Sequence, residues 1–481
     1  PMRMTVLVTI LFLAACASTS PDAPVAYRPA SPDPEVISEV GSEEADEPVR
    51  APEPLAVDVA GAVMVALERN PDLRMAAARI LASREGVDEA KSALFPTFGV
   101  GASFVGTNDP VLVFMQRLRQ KDLSMAGDMN NPGDSTNIRA AARVGWMLYD
   151  GGRNQARIDL ARIDSEILEQ ERESIVNQLK ASVIDTSLLV FMAEEFLHVA
   201  EESVKLVGEQ LKISESRLEV GAAQRSDVLS VEVRLAMARE EVVRSANARE
   251  RALSALRTLL GLTADEPFEL VGAGSFTVPP VPEGNYYDVA RANRPEMRRI
   301  ERSVAAAERG IDLVKGEYLP TFSAFAEAST NSSNLDLTEN GGFFTGGLTL
   351  EWSLFEGGRT KSRVAAARAR MMEAKAAERK VLIQLEGDVR HAELKLHEAN
   401  ERLAVTEKTE EQAVEALDLI QARYESGAAT ITEYLDAEVA LTGARVRFVT
   451  ARFDVERATA DLRRALGICE AGIPQPDRLV P

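Results

Sequence analysis

The residues best suited to metal or nucleophilic chemistry in this 481-residue chain are three histidines and two cysteines. His198 stands alone. His391 and His397 are six residues apart, which does not put two imidazoles on one helical face. Gly151-Gly152 follows a strand pattern and precedes a helix pattern, as a phosphate-cradling loop does, but it lacks the further glycines and the lysine of such loops. It reads instead as a tight junction. Cys469 reads as a small buried residue. These residue types therefore suggest no catalytic site, no metal site, no cofactor and no enzyme.

Cys16 belongs to a different chemistry. Arg3 and the apolar run Val6 to Leu13 have the form of an export signal and are too short to span a bilayer. Leu13-Ala14-Ala15-Cys16 then resembles the bacterial lipobox, in which the cysteine becomes the lipidated first residue. Residues 1–16 are expected to be a lipoprotein signal peptide, and 17–54, rich in Pro, Ser, Asp and Glu, a flexible linker. The net charge of −20 argues against nucleic acid as a partner and fits a well-solvated acidic exterior.

The elements that organise the chain occur twice. Trp146-Met147-Leu148-Tyr149-Asp150-Gly151-Gly152-Arg153 returns as Trp352-Ser353-Leu354-Phe355-Glu356-Gly357-Gly358-Arg359, offset by 352 − 146 = 206, and these are the only two tryptophans. The order is helices, two strands of period two, then a long heptad seam that turns at a glycine and runs back. The first copy spans about 55–261, with strands near 97–106 and 138–149 and a coiled-coil hairpin over 152–261. A connector follows at 262–285, then a second copy over 286–467, with strands near 321–330 and 343–355, a hairpin over 358–467, and a tail at 468–481. Asn70-Pro71 is echoed by Arg294-Pro295, and Phe95-Pro96 by Leu319-Pro320, now offset by 320 − 96 = 224. The extra 18 residues fall in the first strand–strand loop, 106–137, as in a loop that tolerates insertion.

Each strand has one apolar face and one small or polar face, at a length that suits a membrane-spanning barrel. Trp146 and Trp352 sit where an interfacial aromatic belt lies. Four strands cannot close a barrel, so oligomerisation is expected. The pattern alone allows an eight-stranded dimer or a twelve-stranded trimer.

With Asn70-Pro71-Asp72-Leu73, Leu94-Phe95-Pro96, both Gly-Gly-Arg junctions, Val220-Gly221-Ala222 and Tyr424-Glu425-Ser426-Gly427 in this duplicated order, the chain resembles the TolC-type outer membrane factor family from about Leu55 to Gly467. The resemblance implies a mainly α fold with a small antiparallel β part. It implies a homotrimer whose twelve strands form one outer-membrane β-barrel, continued by a periplasmic coiled-coil tunnel. It implies export through a duct in a tripartite efflux or type I secretion system, with outer-membrane lipid, a periplasmic adaptor and an inner-membrane pump as partners. Val220, Gly221, Ser426 and Gly427 would be the adaptor-docking tips. Glu433 and Asp436 would ring the closed entrance, with Asp227 and Tyr424 as a pairing at the gate. The family's arginine there is replaced by Ala429, which removes one arginine–carboxylate latch. A surface-anchored coiled-coil lipoprotein without a pore is the competing reading. The exported substrate is not legible.

Overall fold

The computed structural model describes residues 55–124, 129–263, 266–272, 276–282, 284–334 and 342–468. Cys16, the signal and linker residues 1–54, and Cys469 lie outside the described residues. Two helices open the first repeat, α1 (Val59–Arg69) and α2 (Pro71–Ser92). They meet at Asn70, whose side chain accepts from the N–H of Asp72 at 2.8 Å, while Pro71 takes the first-turn position that needs no N–H. The Asn70 amide also donates to Leu259 O at 3.0 Å. There the hairpin ends at Gly261, where a Cβ would lie 2.8 Å from Arg69 O. Gly467 packs the same way against Asn293 in the second repeat. The matched glycines thus let each hairpin end against its own helical corner.

The strands β2 (Thr97–Thr107), β3 (Ser135–Tyr149), β5 (Thr321–Ser332) and β6 (Gly342–Glu351) form one antiparallel sheet in the order β2-β3-β5-β6. Two hairpins, one per repeat, are joined through β3 and β5, with Val144 opposite Ala326. β6 ends at Glu351, so Trp352 and Leu354 lie just past the strand expected at 343–355. The loop expected at 106–137 contains a helix, α3 (Pro110–Gln120), begun by Asp109, whose carboxylate accepts from the N–H groups of Val111 and Leu112. A further pair was not foreseen. β1 (Leu55–Val57) runs parallel to β4 (Phe268–Leu270) from the connector, placing Phe268 and Leu270 in the core around α1. Three-residue strands are too short for a periodic pattern to reveal.

The coiled-coil hairpins match residue for residue. α4 (Arg153–Glu219) and α8 (Arg359–Glu425) each have 67 residues, roughly 100 Å at ~1.5 Å per residue. α5 (Arg225–Leu260) and α9 (Ile431–Leu466) each have 36. Two short helices, α6 (Tyr286–Asn293) and α7 (Pro295–Lys315), open the second repeat. Along α4 the seam buries Val183, Val190 and Val207 against α5 and α9. Ion pairs flank it where the repeats meet, from Arg445 to Glu202 at 2.8 Å, Arg452 to Glu195 at 3.2 Å and Arg457 to Asp185 at 2.6 Å.

At each junction both glycines are left-handed, with φ of 75° and 79° at Gly151 and Gly152, and 61° and 86° at Gly357 and Gly358. This turns a strand into a helix within two residues. The acidic residue before each pair anchors the new helix. Glu356 accepts from Arg359 at 2.6 Å and from the Thr360 hydroxyl at 2.8 Å, and Arg157 stands 3.7 Å from Asp150. Only Gly151 is also crowded, since a Cβ there would lie 2.3 Å from Gly316 O, whereas Gly152, Gly357 and Gly358 have open space. Within the protomer, backbone handedness is therefore the shared requirement, and crowding acts at one site. Gly151→Ala is expected to lower folded yield and melting temperature more than Gly152→Ala or Gly358→Ala, which carry only the left-handed penalty of about 1–2 kcal/mol. Equal losses in thermal melts would show that the Gly316 contact is unimportant.

Candidate functional site

The turns between the long helices lie at Gly221 (φ 77°) and Gly427 (φ 78°). Val220 is 77% exposed beside the first, and Ser426 caps α8 beside the second. The helices that leave these turns start with capping boxes. Thr430 Oγ1 accepts from the Glu433 N–H at 3.2 Å, and the Glu433 carboxylate accepts from the Thr430 N–H at 2.6 Å. The Thr430 N–H, and then the Thr430 hydroxyl, which donates to the same carboxylate at 3.1 Å, hold the Glu433 carboxyl below its usual range. Asp227 does the same for the Gln224 N–H at 3.0 Å. Glu433 and Asp436 are both exposed, one turn apart on α9, so the shared face expected of them is present.

The expected pairing of Asp227 with Tyr424 is not what the protomer shows. Asp227 is occupied with its cap, and the ring of Tyr424 is covered by the Arg217 guanidinium at 4.5 Å and by Tyr434 at 6.0 Å. Arg217, at the end of α4, donates to Tyr424 O and Glu425 O, both at 3.0 Å. It adds a second donor to Tyr424 O, which the Gly427 N–H also reaches at 3.0 Å, and donates to Glu425 O at the end of α8, and so joins the two tips. Burial, then Glu438, pushes the Tyr434 phenol up to about 12, so it stays protonated at neutral pH. Ala429 packs half-buried against this cluster.

A deeper group was missed. Glu438 is fully buried, receiving Arg234 Nε at 2.7 Å, the Ser203 hydroxyl at 2.7 Å and the Thr442 hydroxyl at 2.9 Å. Its signal was in the sequence, because Ile431, Tyr434, Glu438 and Leu441 form one stripe with a charge in place of an apolar residue.

At the other end, the sheet leaves its apolar face uncovered. Val100, Phe104, Phe344, Leu348 and Leu350 are each between 66% and 76% exposed. The opposite face carries Arg139 and Arg143 on β3, both paired with Glu327 on β5. Each tryptophan also has an internal task. Trp146 Nε1 donates to Leu94 O at 2.8 Å and Trp352 Nε1 to Tyr318 O at 3.0 Å, tying the sheet to the end of the preceding helical segment in both repeats. Among the described residues no helix is long and apolar enough to cross a membrane, and no group of three His, Cys, Asp or Glu residues could hold a metal ion.

The model of the outer membrane efflux protein family matches residues 63–262 and 286–468. The chain belongs to this family. It is an outer-membrane channel of the TolC-like efflux and secretion type. Protein CyaE of Bordetella pertussis is 24% identical over 398 residues, covering 81% of this chain and 79% of that protein. Outer membrane protein TolC of Vibrio cholerae is 24% identical over 414 residues, covering 84% and 89%. The solved channel CusC superposes with a TM-score of 0.74 at 20% identity, covering 86% of this chain and 93% of that one.

Two outcomes test the tip geometry of this family member. Arg234→Met strands a buried carboxylate and should cost about 3–5 kcal/mol in denaturant unfolding, with most of the loss recovered in Arg234→Met/Glu438→Met. Glu433→Ala should lower the melting temperature at pH 7. Because the folded pKa is depressed, the cap is present above the ordinary glutamate value of about 4.3 and lost as pH falls through the lowered one. The difference between wild type and variant should therefore shrink in acid; a constant difference would assign the effect to packing.

Proposed function

We propose that three copies of this chain close a twelve-stranded barrel in the outer membrane and continue it as a periplasmic tunnel, a passive exit without catalysis. The observation that carries this is the pairing of β3 with β5. Applying the repeat offsets to the pair Ala142–Ala328 gives 142 + 206 = 348 and 328 − 224 = 104, so Leu348 on β6 stands opposite Phe104 on β2 of the next copy. The two free edges are thus related by the repeat to an interface already formed inside the protomer. The exposed apolar face then meets lipid, and the face with Arg139, Arg143 and Glu327 lines the lumen. Lipidated Cys16 would add an anchor in the same membrane.

The tips at Val220, Gly221, Ser426 and Gly427 are the docking points for a periplasmic adaptor, which connects the duct to an inner-membrane pump. A shallow groove beside the second tip, lined by Leu419, Ile420, Arg423 and Ser426, supports this reading. Glu433 and Asp436 from three copies supply six carboxylates at the entrance, a ring that favours cations.

In planar bilayers the wild-type protein should give discrete conductance steps with a preference for cations, whereas a non-conducting oligomer would favour the coiled-coil scaffold. Glu433→Gln with Asp436→Ala retains a capping acceptor and should reduce cation preference by about half, with weaker divalent-cation block. An unchanged reversal potential would remove these carboxylates from the pore.

A further inference from the structure

The polar face of the sheet has a covered end and an open one. At the loop end α3 lies over it, with Gln120 Nε2 donating to Asn137 Oδ1 at 3.0 Å and Asn137 Nδ2 to Asn331 Oδ1 at 3.1 Å. Nearer the junctions the same face has a hollow of about 380 Å³, walled by Thr97, Arg143, Phe325 and Glu327 and floored by Gly99 and Gly145. Gly99 stands opposite Arg143, and Gly145 lies between Thr97 on β2 and Phe325 on β5.

The backbone does not require these glycines. Neither is left-handed, and the register of β2 on β3 and of β3 on β5 runs unbroken through both positions, so neither a turn nor a bulge accounts for them. Neighbours do not require them either. Among the described residues a Cβ at Gly99 meets nothing within 4 Å, and one at Gly145 meets only Thr97 Oγ1, at 3.4 Å. Phe325 could have filled the gap at Gly145, but its ring lies over Gly347 on its other side, where a Cβ would stand 3.1 Å from Phe325 Cε1. Glycine within a strand weakens it and often marks a place where a ligand comes close to the backbone.

The walls of the hollow supply a charge and an aromatic surface. Arg139 and Arg143 both pair with Glu327, so two guanidiniums meet one carboxylate and the three groups keep one positive charge. Arg143 donates to Glu327 Oε2 through Nε at 2.5 Å, its only side-chain hydrogen bond among the described residues. Its side chain is 64% exposed, so the terminal N–H groups are free to receive an anion. Phe325, 45% exposed, stands on the neighbouring strand beside the glycine floor.

We propose that this hollow binds a small aromatic carboxylate, whose charged end pairs with the terminal N–H groups of Arg143 and whose ring lies on the glycine floor against Phe325. The volume falls within the range of small-molecule sites, about 300–1,000 Å³. The site is built within one chain. Its part in export rests on the barrel reading, which puts it on the lumen wall. There an open hollow holds a passing anion without trapping it, as conduction requires.

The test uses the full-length protein in detergent and benzoate as the probe. Saturation-transfer NMR, with protein-free micelles as the blank, should show saturable binding of benzoate. Arg143→Gln leaves Glu327 its Arg139 partner and should weaken that binding about tenfold. Gly99→Leu fills the floor at a position with open space and should weaken it about as much. On the wild type, benzylammonium and acetate should each compete at least about tenfold more poorly than benzoate, since one has the wrong charge and the other has no ring. In planar bilayers benzoate should reduce wild-type conductance and leave Arg143→Gln unaffected. No saturable binding, equal competition by benzylammonium or acetate, or undiminished binding in either variant would overturn the site. Binding without effect on the current through conducting pores would overturn its place on the lumen wall. A protein that binds benzoate as expected but forms no pores would uphold the site and overturn the barrel reading instead.

Discussion

Hydrocarbon does not tolerate an unpaired strand edge, because each free N–H and C=O there lacks any partner. This chain has two such edges, β2 and β6, on a four-stranded sheet whose apolar face is bare. Much of the rest of the structure follows from that constraint. The repeat supplies matching edges. The edges require further copies, and the ring of copies fixes where each long helix must begin. A soluble sandwich would have buried the apolar face against a second layer, and among the described residues the contacts on the sheet are α3 on its polar side and the helix ends at its base.

The junction is where membrane geometry becomes tunnel geometry. A strand can enter a helix within two residues only through a sharp turn, and paired left-handed glycines provide it in both repeats. The tryptophan fixes the height of the turn by bonding its indole to the preceding helical segment. Below that level, helix lengths agree between repeats, 67 with 67 and 36 with 36, so both tips end at the same level, as the proposed docking of one partner there requires. Above it, the loops answer to no such requirement, and there the 18-residue difference is found.

Signals of period and repetition were legible in the sequence. The hairpins, the turns at Gly221 and Gly427 and the strands, apart from the last, which stops at Glu351 short of its expected end, sit where the heptads, the glycines and the alternation put them. Features that depend on distant pairing were not. β1 and β4 are three residues each and meet across two hundred positions. Arg217 reaches Tyr424 and Glu425 through tertiary geometry that no local spacing encodes. Other features were present but eclipsed. Thr430 and Glu433 have capping-box spacing, and Asp109-Pro110 followed by an i, i+4, i+7 stripe is a helix start inside a stretch read as loop. Glu438 is instructive, since attention to exposed carboxylates passed over the one that packing makes most consequential.

The repeat also distinguishes two kinds of seam. Inside the protomer, α4 meets α9 through Glu202–Arg445, Glu195–Arg452 and Asp185–Arg457, with Arg234–Glu438 buried nearby. In the proposed trimer the corresponding seam joins α8 to α5 of the next copy. There 202 + 206 = 408 and 445 − 206 = 239 place Lys408 against Arg239, while 195 + 206 = 401 and 452 − 206 = 246 place Glu401 against Ala246. The partner of buried Glu438 is lost as well, because 234 + 206 = 440 is an alanine. What recurs is apolar. Leu394 and Val405 correspond to buried Leu188 and Val199, and Val243 to buried Val449. Each exposed ion pair contributes little, about 0–1 kcal/mol, but a buried carboxylate with three donors resists separation far more. In the three-copy ring, the two hairpins of one chain are therefore the stiff unit. In the proposed trimer the seams between chains have apolar contact and one pair of like charges in place of those ion pairs, and no buried carboxylate to anchor them.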